Sequence, residues 1–95
     1  MRNYEFTFII APTVEDDNIQ AVVDKVSAWI ESIDGQVTTV DHWGRRELAY
    51  QIQDFGEGSY VFMETRLEPN TLNELERNLK LDLDIIRYLL VRVEE

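Results

Sequence analysis

Asp54-Phe55-Gly56-Glu57-Gly58 separates two runs that read as long strands, Val37 to Gln53 before it and Ser59 to Leu67 after it. Two strands joined by a short glycine-bearing turn form an antiparallel hairpin. Gly44 interrupts the first run, and a glycine inside a strand pattern marks a bulge or bend.

Upstream of the hairpin, Arg2 to Ile10 alternates with period two. Tyr4, Phe6, Phe8 and Ile10 fall on one side and Asn3, Glu5 and Thr7 on the other, which is a half-buried strand. Pro12 closes it, and Glu15, Asp16 and Asp17 crowd a first helical turn, where the helix dipole favours negative charge. Ile19, Val22, Val23, Val26, Trp29 or Ile30, and Ile33 then repeat at helical spacing, giving an amphipathic helix of about five turns. Gly35 stands where a left-handed C-terminal cap belongs. Downstream, Pro69 stops the hairpin's second strand. Thr71 with Glu74 has the spacing of a capping box, opening a helix with Leu72, Leu75 and Leu79 on one face. Ile85 to Val93 is a β-branched, leucine-rich last strand. Residues 1–95 thus read as one domain of order βαββαβ. Right-handed crossovers make it an α+β, ferredoxin-like fold, a four-stranded antiparallel sheet with two helices on one face.

Two helices cover one side of such a sheet, so the other side shows how the protein is used. In the third strand, Val61, Met63, Thr65 and Leu67 are the more apolar set and face the helices, leaving Tyr60 and Phe62 on the open face near Asn3, Glu5 and Thr7. The last strand is apolar both ways, with Tyr88 and Leu90 on one side and Leu89, Val91 and Val93 on the other. Exposed aromatic and aliphatic residues on a sheet face mark a partner surface.

The 95 residues carry 9 Lys+Arg against 19 Asp+Glu, a net charge of -10. The 44% hydrophobic content is too high for disorder. Cysteine is absent, which excludes disulfides, thiolate metal sites and a thiol nucleophile. No apolar run approaches a membrane span and the N-terminus lacks a signal-peptide pattern, so the expectation is a cytoplasmic protein. The charge is uneven. Segments 13–34 and 70–84 hold ten acids and three bases, whereas the rest holds nine acids and six bases, the latter all arginine: Arg2, Arg45, Arg46, Arg66, Arg87 and Arg92. Guanidinium forks suit phosphate and base stacking. A protein that docks its sheet on RNA and turns acidic helices outward has this distribution, although acidic helices also serve solubility alone.

Catalytic chemistry is missing. His42 is the only histidine, and no Asp/Glu group has metal-ligand spacing, so neither metal nor cofactor is expected. Ser27, Ser32 and Ser59 have no evident base. Gly56-Glu57-Gly58 lacks the following Lys-Ser/Thr and helix of a phosphate loop. Asp82 and Asp84 sit at a helix end, where carboxylates two apart point away from one another. Neither enzyme activity nor a small-molecule substrate is expected.

Trp43-Gly44-Arg45-Arg46-Glu47-Leu48-Ala49-Tyr50-Gln51-Ile52, with Met1-Arg2-Asn3-Tyr4-Glu5 at the start and Gly56-Glu57-Gly58-Ser59-Tyr60 after it, resembles the signature of the sixth-protein family of the bacterial small ribosomal subunit. The likeness runs over essentially the full length. It implies a structural, non-enzymatic protein that binds small-subunit rRNA in the central domain, or platform, as a heterodimer with the eighteenth small-subunit protein. Carried over by position, Arg2 and Tyr4 fall near RNA, and with them we group Arg66, Arg87 and Arg92. Arg45 and Arg46 fall on an edge strand where the partner docks, with His42, Trp43, Tyr60 and Phe62 beside them. The chain departs from the family at Glu47, often basic there, at Gln51, often proline, and near Asp54, often lysine. These changes weaken the hairpin's positive charge.

The alternative is an RRM-like single-stranded RNA-binding module of the same βαββαβ order. Its third strand needs a leading basic residue and a further aromatic, whereas Gly58-Ser59-Tyr60-Val61-Phe62-Met63 lacks both, with Met63 at the aromatic position. A small-ligand regulatory domain or an acylphosphatase-like enzyme stands behind that. For the latter, the loop Ala11-Pro12-Thr13-Val14-Glu15 is acidic and proline-bearing where a phosphate cradle is required.

Overall fold

A computed structural model of the protein describes residues 1–93. The strands are β1 (Arg2–Ile10), β2 (Gln36–Ile52), β3 (Phe55–Leu67) and β4 (Ile85–Arg92), and the helices are α1 (Ile19–Ser32) and α2 (Leu72–Leu81). Short 3-10 turns, Asp16–Asn18 and Pro69–Thr71, lead into the helices. The sheet order is β2-β3-β1-β4 with all neighbours antiparallel, so β2 and β4 are its edges.

The alternation of β1 sets the sidedness. Tyr4, Phe6, Phe8 and Ile10 join Val61, Met63 and Leu67 of β3, Val22, Val23, Val26 and Ile30 of α1, and Leu75 and Leu79 of α2 in one buried cluster. Both helices therefore pack on the same face. Thr65, buried among them, donates its hydroxyl to the Tyr4 carbonyl at 3.1 Å, so its one polar atom is satisfied.

Five local expectations change in the fold. The hairpin turn is not the glycine run. Gln53 and Asp54 make it, with φ of 51° and 69°, and β3 already begins at Phe55. Two central residues at positive φ match the right-handed twist of the flanking strands. Helix α1 has 14 residues, about four turns rather than five, because its acidic lead-in winds as a 3-10 turn. Asp34, at φ 62°, takes the left-handed position instead of Gly35. Gly35 answers a steric demand: a β-carbon there would lie 2.5 Å from Leu67 Cδ2 and 2.9 Å from the Ile30 carbonyl oxygen. The capping box does not form, since the Thr71 hydroxyl donates back to the Glu68 carbonyl at 2.7 Å and Pro69 opens the turn. Asp82 and Asp84 do not point apart. The chain leaves the helix at Asp82, and both carboxylates converge on Lys25 Nζ, at 2.6 and 3.4 Å. The rule for residues two apart on a helix does not reach beyond its last turn.

Candidate interaction surface

The open face is assembled row by row from the strand register, because residues opposite one another in an antiparallel ladder share a face. At one end Asn3 sits opposite Arg66, itself opposite Gln36. Glu5 comes next, between Glu64 and Val91, and then Thr7, between Phe62 and Leu89. Ile9, between Tyr60 and Arg87, closes the series. Leu89 and Val91 are 62% and 45% exposed.

Gly44 builds the aromatic part of this face. Its φ of 85° accompanies a register shift between His42 and Gly44, a bulge only glycine accommodates without strain. The extra residue is Trp43, which lies over β3. Its ring stacks on Phe62 at 5.6 Å between centroids and 4° between planes, and on Tyr60 at 6.5 Å. The indole N–H donates to Asp41 Oδ2 at 3.1 Å, and the Arg46 guanidinium lies 5.8 Å from the Trp43 ring centre.

A second bulge is larger. Between the pairs Glu47–Glu57 and Ile52–Phe55, residues 48–51 of β2 face the single residue Gly56 of β3. The surplus arches over the open face, so that Leu48 and Ile52 pack against Ile9, Ala11 and Ile86. Tyr50 reaches β4, where Arg87 Nη1 donates to its hydroxyl at 2.6 Å. Under the arch runs a groove of about 270 Å³, floored by Thr7, Ile9 and Leu89. Sequence reasoning did not assign Leu48, Tyr50 and Ile52 to the surface. The signal was the Leu48-Ala49-Tyr50 run itself, which carried the family resemblance without a stated role.

The expected partner-binding residues divide. Trp43, Arg46, Tyr60 and Phe62 come together on the open face. His42 pairs with Val61 and Arg45 with Ser59, both helix-side positions, so these two turn the other way. Arg45 is also occupied: it lies 3.4 Å from Asp16 and 3.2 Å from Glu57, and donates to the Pro12 carbonyl at 3.4 Å. The expected RNA-binding residues do not form one patch either. Arg66 and Arg87 lie on the open face at opposite ends, six residues apart in register, or about 20 Å. Arg2 and Arg92 are exposed at the helix-side end, opposite Leu67 and Tyr4. Tyr4 is 5% exposed in the main core, so its ring packs between sheet and helices and presents no surface to a ligand.

On the helix side, Lys25 is held charged. Burial lowers its pKa, but the hydrogen bond and charge of Asp82, reinforced by Asp84, outweigh this and raise it above 10.5. Burial and the Glu76 carboxylate at 3.4 Å raise the Tyr88 phenol above 10.0. Among the described residues, no group of three or more His, Asp or Glu could hold a metal ion, and no helix is long and apolar enough to cross a membrane.

The family model described as Ribosomal protein S6 matches residues 3–92. The small ribosomal subunit protein bS6 of Moorella thermoacetica is 46% identical over 95 residues, covering all of this chain and 97% of the relative. That of Desulforamulus reducens is 41% identical over the full length of both. The crystal structure of 30S ribosomal protein S6 from Thermotoga maritima superposes with a TM-score of 0.91 at 35% identity, covering 97% of this chain and 87% of that one. Fold and sequence agree over nearly all of the chain, and the chain belongs to the ribosomal protein S6 family of the bacterial small subunit.

Proposed function

We propose that the protein is a non-catalytic structural component that binds small-subunit rRNA in the central domain together with the eighteenth small-subunit protein. Family membership places it on the cytoplasmic ribosome. The observation that carries the finer reading is the open face, where Trp43 stacks on Phe62 and Tyr60 and stands exposed with Leu89 and Val91, an apolar cluster of the kind that marks an interaction surface. The protein partner takes that surface with Trp43, Arg46, Tyr60 and Phe62. Arg45 and His42 line the outer flank of the same edge strand. Phosphate falls to the exposed arginines at the ends of the sheet, Arg2, Arg66, Arg87 and Arg92. Tyr4 contributes by packing the strand that carries Arg2.

A net charge of -10 repels a polyanion, and few arginines are available for phosphate. The lone protein should therefore bind generic RNA weakly, and affinity for the central-domain rRNA should rise steeply once the eighteenth protein is added. Filter binding of a central-domain rRNA fragment with and without that partner tests this. Micromolar binding of generic RNA by the lone chain in physiological salt overturns it.

A further inference from the structure

Gly44 to Glu47 of β2 form a short island of ladder. The Gly44 bulge lies before it and the arch after it, so only the pairs Gly44–Tyr60, Arg45–Ser59, Arg46–Gly58 and Glu47–Glu57 hold this stretch to β3. As an edge strand, β2 has no neighbour on its other side. Two features weaken the island further. Gly58 brings no side chain to its pair, and Glu47 and Glu57 are exposed like charges directly opposite one another. The ladder alone therefore fixes the bulge poorly, and the aromatic surface depends on it. A bulge displaced by one residue sends Trp43 to the helix side.

We propose that Arg45 is a positioning residue that fixes the bulge and so holds Trp43 stacked on Phe62 and Tyr60. The bulge turns Trp43 to the open face and Arg45, two residues on, to the helix side. There the guanidinium lies 3.2 Å from Glu57, 3.4 Å from Asp16 and 3.4 Å from the Pro12 carbonyl. These acceptors come from β3, from the 3-10 turn before α1 and from the loop after β1. The contact with Glu57 also offsets the repulsion from Glu47, so the weakest pair of the island closes with Arg45 in place. Its side chain is 34% exposed, and an isolated ion pair at such a site contributes little to stability. A shared network is enough to choose between two nearly equal registers of an edge strand. In the slipped register Arg45 faces the open side and leaves all three acceptors behind. The aromatic surface is thus set from the opposite side of the sheet. Its consequence for binding rests on the protein-partner reading above, with Arg45 acting through Trp43 rather than by contact.

Trp29→Phe leaves Trp43 as the sole indole and serves as the parent. Relaxation dispersion on the Trp43 indole N–H reads the unstacked fraction. Arg45→Gln should raise that fraction about threefold, the size of effect an exposed ion-pair network commands. Amide exchange at Phe6 and Phe8 should stay as slow as in the parent. Arg45→Lys keeps the charge beside Glu57 and should recover most of the difference. In titration calorimetry, Arg45→Gln should bind the eighteenth small-subunit protein about threefold more weakly, again with recovery in Arg45→Lys. Lost affinity with an unchanged indole signal would make Arg45 a direct contact and overturn the inference, leaving the proposed function standing. An indole signal that moves only together with core exchange, or equally in Arg45→Lys, overturns it as well, and so does an opened stack with undiminished affinity. A parent that fails to bind the eighteenth protein removes the proposed function, and the indole signal still decides what positions Trp43.

Discussion

Tyr50 and Arg87, 37 residues apart, meet across the open face: the guanidinium donates to the phenol at 2.6 Å and its carbon lies 5.6 Å from the ring centre. They come from the two edge strands, so the contact crosses the full width of a four-stranded sheet. It is possible only because residues 48–51 bulge out of β2 and arch over β3 and β1. Tyr50 is still 62% exposed, so the contact closes the arch from outside without burying it.

Tyr50→Phe removes the hydroxyl and keeps the ring. A hydrogen bond at an exposed site contributes about 1 kcal/mol or less, so global stability should hardly change. Amide exchange at residues 48–51 should quicken while that of Phe6 and Phe8 stays slow, because the arch opens locally and the core does not. Equal acceleration in both places would mean the arch unfolds only with the whole domain.

The two sides of the sheet should respond differently to truncation. Leu75→Ala leaves a cavity beneath the sheet at a fully buried position and should cost about 2–5 kcal/mol. Val61→Ala, also fully buried, should cost about 1–2 kcal/mol for its two lost methyl groups. Phe62→Ala loses its stack with Trp43 on the open side and should cost about 1 kcal/mol. Chemical denaturation gives the ranking, and a larger loss for Phe62→Ala than for Val61→Ala and Leu75→Ala would contradict the facing of β3.

Glycines separate by what surrounds them. A β-carbon at Gly58 would lie 2.4 Å from Ile9 Cγ2 and 3.0 Å from the Ile10 carbonyl oxygen. Gly58→Ala should therefore cost about 1–3 kcal/mol through overpacking. Gly56→Ala meets open space without a positive φ and should be neutral, or stabilise by up to about 1 kcal/mol through the unfolded chain. Thermal melts of the two variants side by side test the contrast.

Stability should decline in alkali, for a reason that can be assigned. The folded Lys25 ammonium and Tyr88 phenol both hold their protons more tightly than in the unfolded chain. Their contribution is complete below the ordinary values of 10.5 and 10.0 and is lost as pH rises through the raised, folded ones. Lys25→Met with Tyr88→Phe should flatten the denaturation midpoint between about pH 10 and 12. A slope unchanged in the double variant would place its origin elsewhere.

The sequence by itself determined the sidedness of the sheet and the order of its elements. Tyr4, Phe6, Phe8 and Ile10, like Val61, Met63, Thr65 and Leu67, alternate strictly, and a slip of one residue would expose every one of them. Such periodicity is local and survives without knowledge of any partner strand. The family signature around Gly44 was legible for the same reason. The tertiary structure decided whatever depends on which distant atoms meet. Gly35 reads as a cap until Leu67 is seen against it, and Asp82 with Asp84 as a solvated turn until Lys25 arrives from α1. Leu48 and Tyr50 read as plain strand residues until four positions of β2 must pass a single glycine of β3. The six arginines outside the helical segments read as one basic surface, but strand register sends Arg45, Arg2 and Arg92 to one side and Arg46, Arg66 and Arg87 to the other. Register is a property of pairs of strands, set by bulges and turns along both, and no single strand encodes it.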